Sequence, residues 1–73
     1  MTAYQKLISD ELKRRHAHPA ATVRHVEAMM RTLQPTFDHL SVDQLGALVG
    51  EALAELTWMS IDERNALAES QGL

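Results

Sequence analysis

Apolar residues recur at three- and four-residue spacing along almost the whole chain, and no strand-like alternation of apolar and polar positions persists. Tyr4, Leu7, Ile8 and Leu12 make one stripe. Val23, Val26, Met29, Met30 and Leu33 make a second, with Arg24, Glu27 and Arg31 on the opposite side at helical pairing distance. From Val42 onward, Leu45, Leu48, Val49, Ala52, Leu53 and Leu56 share one arc of a helical wheel, while Gly46, Ala47, Gly50 and Ala54 fall beside it. Only Gln44, Glu51 and Glu55 form a polar strip there, so this third helix is expected to be the central one.

Start and stop signals divide the pattern. Thr2-x-x-Gln5, Ser41-x-x-Gln44 and Ser60-x-x-Glu63 each fit the capping box, in which a hydroxyl and the side chain three residues on satisfy each other's backbone donors. Pro19 suits a first helical position, Pro35 forces its predecessor out of the α region, and Gly72 can close the last helix. The expectation is an all-α fold, a compact bundle of four short helices near 3–16, 19–34, 41–57 and 60–71, open to dimerisation. Phe37, in the connection from Gln34 to His39, is available as a core plug.

With 73 residues and no cysteine, the chain is read as a single domain, 1–73, without disulfides, thiolate metal sites or cysteine nucleophiles. A core of this size supplies only about 3–5 kcal/mol, which makes a binding module or a dimer the default. The start lacks the apolar run of a secretion signal, and no stretch approaches the roughly 20 apolar residues of a membrane span. A cytoplasmic protein is expected.

The net charge of −3 is unevenly spread. Residues 1–37 hold six basic against three acidic residues, net +3, whereas residues 38–73 hold Arg64 against seven acids, net −6. Such a division implies either two faces for different partners or two halves that complement each other within one fold.

The stretch from Lys13 to His25, KRRHAHPAATVRH, concentrates the candidate chemistry. His16, His18 and His25 could offer imidazoles, but His-x-His at a helix end, beside Lys13, Arg14 and Arg15, matches no metal-ligand spacing; no metal and no cofactor are expected. HAHPAATVRH resembles the turn and recognition-helix start of bacterial helix-turn-helix DNA-binding domains, with Leu12, Val23 and Val26 on buried positions and Ala17 on the turn. His16, His18 and Lys13 depart from that pattern. The resemblance implies that Thr22, Arg24 and His25 face the major groove and that Arg14, Arg15 and Arg31 reach phosphates. The competing reading is helix termination, with basic side chains complementing the negative end of a helix dipole.

Catalytic chemistry finds no motif. Asp10-Glu11 and Asp62-Glu63 are adjacent pairs that diverge around their helices, and phosphate loops and nucleophile elbows are missing from the sequence. The expected function is therefore non-enzymatic: a protein-binding regulator, whether inhibitor, antiactivator or adaptor of a larger assembly such as transcription machinery. A helix-turn-helix DNA binder using helix 19–34 and a structural homodimer are the alternatives. For protein contact the candidate residues are the close-approach ladder Gly46, Gly50 and Ala54, together with Trp58 and Met59 at the end of the third helix.

Overall fold

The structure, a computed structural model, describes residues 2–18 and 20–73. Four helices follow one another: α1 (Ala3–Arg14), α2 (Val23–Leu33), α3 (Val42–Leu56) and α4 (Ile61–Ser70), with no strand among the described residues. All three capping boxes form: Thr2, Ser41 and Ser60 accept from the backbone N–H three residues on, and Gln5, Gln44 and Glu63 accept in return. Gln34 is extended, at φ −141 and ψ 100, and ends α2 ahead of Pro35.

Two boundaries differ from expectation. α1 stops at Arg14 because Arg15 caps it and His16 turns left-handed, at φ 51. His16 N–H donates to Lys13 O and Ala17 N–H to Leu12 O, the paired bonds of a Schellman motif. Gly72 closes α4 in the same way, with Leu73 N–H donating to Ala68 O. α2 begins four residues later than 19, because the Thr22 hydroxyl accepts from His25 N–H and makes Thr22 the N-cap. The expectation for Pro19 falls outside the described residues.

The central helix is α2, not α3. It packs against α1, α3 and α4, and its residues from His25 to Met30 are all buried. The core joins Ile8 and Leu12 of α1, Val26, Met29 and Met30 of α2, and the Leu45–Leu56 arc of α3. Phe37 plugs it from the α2–α3 connection, its ring edge-on to Tyr4 at 5.4 Å. Glu27 was expected on a polar side, yet it is fully buried, because α2 is covered all round. Its oxygens accept from Gln5 Nε2 and Arg31 Nη2, both at 3.0 Å.

No helix of the described residues is long and apolar enough to cross a membrane.

Candidate functional site

The basic stretch is held by its own fold. Glu11, nearly buried, accepts from Arg14 Nη2 on both oxygens and from Arg15 Nε at 2.9 Å. The Arg14 bond foremost, then Arg15, holds its carboxyl below the ordinary 4.5 against the opposing effect of burial. Arg15 also donates through Nη2 to Gly46 O of α3 at 2.9 Å. This arrangement accounts for the glycine ladder: a Cβ at Gly46 would stand 3.2 Å from Glu11 Oε1, and one at Gly50 would stand 2.8 Å from Arg15 Nη1. The close approach at Gly46 and Gly50 is therefore to α1 of the same chain, whereas Ala54 is exposed.

Of the residues assigned to a DNA groove, His25 is buried while Thr22 and Arg24 are exposed. His25 is 2% exposed, and its Nε2 lies 2.8 Å from Asn65 Oδ1 on α4, to which Arg24 Nη2 also donates at 3.1 Å. The Thr22 hydroxyl is spent on the cap, and Arg31 is bound to Glu27. Eight residues separate α1 from α2, where a helix-turn-helix uses about three or four. His25 therefore cannot belong to a base-reading face, and Thr22, Arg24 and Arg31 are engaged within the fold.

Among the described residues no three His, Asp or Glu side chains gather as metal ligands do. His18 is exposed and accepts from Ala20 N–H through Nδ1, His16 is exposed in the left-handed turn, and His25 is buried with Nδ1 unpartnered.

A groove of about 460 Å³, open along one side, lies between the α1–α2 loop and the α3–α4 junction. Leu53, Leu56, Met59 and Ile61 supply its apolar surface. Arg15 lines it from the end of α1 and Arg64 from α4, with His18 at the loop, and among the described residues no carboxylate lines it. Arg64 Nε and Nη2 donate to Leu56 O at 3.1 and 2.7 Å, capping the end of α3, and Arg64 makes no ion pair among the described residues. Trp58 sits between Thr57 and Met59, which both line the groove, and is 87% exposed; Ile61 is half exposed. An indole left in water beside an apolar groove is unusual, since tryptophan is highly buried on average.

Of the protein-contact candidates, Met59 lines this groove, Trp58 is its exposed neighbour in sequence and does not line it, and Gly46 and Gly50 face α1. Sequence reasoning missed Arg64, Ile61 and Leu53 as groove residues. A signal for Arg64 was present, since it is the single Lys or Arg among residues 38–73. The ion pairs among the described residues lie within α1 and its C-cap and within α2, and none joins the basic half to the acidic one. All seven acids of residues 38–73 are exposed.

Comparison with protein-family models, with curated proteins and with solved structures finds no match to this chain.

Proposed function

We propose that the protein is a small non-enzymatic binding module that regulates a larger assembly by protein contact, through the groove at the α3–α4 junction. The observation that carries this reading is the open groove lined by Leu53, Leu56, Met59 and Ile61, with Trp58, adjacent in sequence to Met59, 87% exposed. Aromatic residues with a polar edge are enriched at binding hot spots, and apolar surface left open on a small domain marks an interaction site. Inhibitor, antiactivator and adaptor are all compatible with a module that offers one such surface. The acidic exposed half makes contact with nucleic acid unfavourable over much of the molecule, which supports protein over DNA as the partner.

The test is capture from the native host by the full chain, in parallel with Trp58→Ala and Ile61→Ser. A partner retained by wild type and lost by both variants supports the reading. Equal retention by all three, or a co-purifying nucleic acid whose binding falls steeply with salt, would sink it.

A further inference from the structure

We infer that the groove takes an amphipathic segment of a partner protein that carries a carboxylate, seated between Arg15 and Arg64; this rests on the reading of the groove as a protein-docking surface. The argument is one of charge. In a chain with net charge −3, Arg15, His18 and Arg64 line the groove and, among the described residues, no acid does. Arg64 is turned toward it by two bonds to Leu56 O, which fix the guanidinium in place but leave it without a counter-charge. Arg15 shares one carboxylate, Glu11, with Arg14, so that cluster keeps an excess of positive charge. A fixed, uncompensated guanidinium has donors left over for a carboxylate, and its orientation has already been settled by the fold. Meanwhile the apolar surface of Leu53, Met59 and Ile61 demands apolar side chains from the same occupant.

Both demands together describe a segment with apolar residues at helical or extended spacing and an Asp or Glu among them. A small apolar acid meets the same chemistry, but the groove is open on one side. That openness suits a longer occupant that extends beyond the groove, because small-molecule sites enclose about 70–90% of their ligand.

The full chain is panned against displayed random peptides of about 16 residues, enough for roughly four helical turns. Enriched peptides are then titrated while the emission of Trp58, the single tryptophan, is followed. The expected result is enrichment of apolar peptides containing Asp or Glu that shift Trp58 emission. Their affinity falls by about tenfold or more when the peptide acid becomes Gln, as for loss of a charged partner. Changing the peptide acid needs no change in the protein, so the test survives if Arg64 variants fail to fold. Where Arg64→Glu does fold, it should prefer the peptide with Lys in place of the acid. Peptides that shift Trp58 and are lost with Ile61→Ser, yet tolerate Lys in place of the acid, would overturn the carboxylate inference and leave the docking surface standing. No enrichment, or peptides indifferent to both Ile61→Ser and Trp58→Ala, would overturn the docking surface itself. Saturable binding of sodium dodecanoate that displaces no enriched peptide and alone shifts Trp58 would overturn the proposal in favour of a small-molecule site.

Discussion

Arg31 Nη2 donates to Glu27 Oε1 at 3.0 Å, one turn along α2, and Glu27 is wholly buried while a third of the Arg31 side chain remains exposed. The arginine thus covers a carboxylate that water cannot reach, with Gln5 as the only other donor among the described residues. Removing one partner of such a pair is far more costly than replacing both, because the remaining charge stays buried.

Arg31→Ala is accordingly expected to cost about 3 kcal/mol or more, enough to unfold a domain of this size in part. The double variant Glu27→Leu/Arg31→Ala should recover most of that loss. Urea denaturation of the three proteins checks it, and a loss below about 1 kcal/mol for Arg31→Ala would refute it. The result also bears on any DNA-binding test that combines Arg24→Ala with Arg31→Ala, since lost binding would then report lost folding.

His16 adopts φ 51, a left-handed backbone that costs a residue with a side chain about 1–2 kcal/mol. His16→Gly should therefore stabilise the protein by about 1 kcal/mol, raising the melting temperature by about 4–8 °C. His16→Val should lower it by at least as much. A thermal melt in which glycine destabilises would show that the imidazole makes a contribution of its own at this turn.

Glu11 gives a pH signature. Its folded carboxyl titrates below the ordinary 4.5, mainly because of the Arg14 hydrogen bond, so its contribution to stability is present above that value. It is lost as pH falls through the depressed folded value. Glu11→Gln should thus melt below wild type at neutral pH, and the gap should close as the pH is taken well under 4.5. A gap that stays constant down to pH about 2 would mean that packing, not charge, is what the substitution removed.

The apolar period located all four helices, because amphipathic stripes and capping boxes are local signals. The start of α2 was less legible. Thr22 is followed at the third position by His25, which is not the Glu or Gln of a capping box, and Pro19 offered a competing start. Burial of Glu27 was hidden for a different reason: Glu and Arg four residues apart look the same on a solvated face as under two neighbouring helices. Gly46 and Gly50 drew attention to one face of α3, but glycine spacing says nothing of what stands there, and here it is the side chains of Glu11 and Arg15. The groove itself draws Arg15, Leu53 and Arg64 from three helix ends far apart in sequence, a juxtaposition that only the packing of the bundle creates.

Trp58 and Leu56 are two residues apart and should respond oppositely. Trp58→Ala is expected to change stability by no more than about 0.5 kcal/mol, as for an exposed position. Leu56→Ala, at 1% exposure, should cost about 2–5 kcal/mol. Wild-type emission should be that of a solvated indole and change little on unfolding. A large loss of stability in Trp58→Ala would place the ring in the core.

α4 fully buries a single residue, Ala68, and is tied down largely by polar bonds: Asn65 with His25 and Arg24, Arg64 with Leu56 O, and Gln71 O with Arg31. A helix so held opens locally at lower free energy than the α1–α3 core. Since Ile61 and Arg64 of α4 form one wall of the groove, the groove exists only in the fraction of molecules with α4 docked, and its apparent affinity scales with that fraction. If the groove binds as proposed, the strength of that binding would be governed partly by a folding equilibrium confined to the 10 residues of α4. Loosening Asn65, which does not line the groove, would weaken an occupant it never touches.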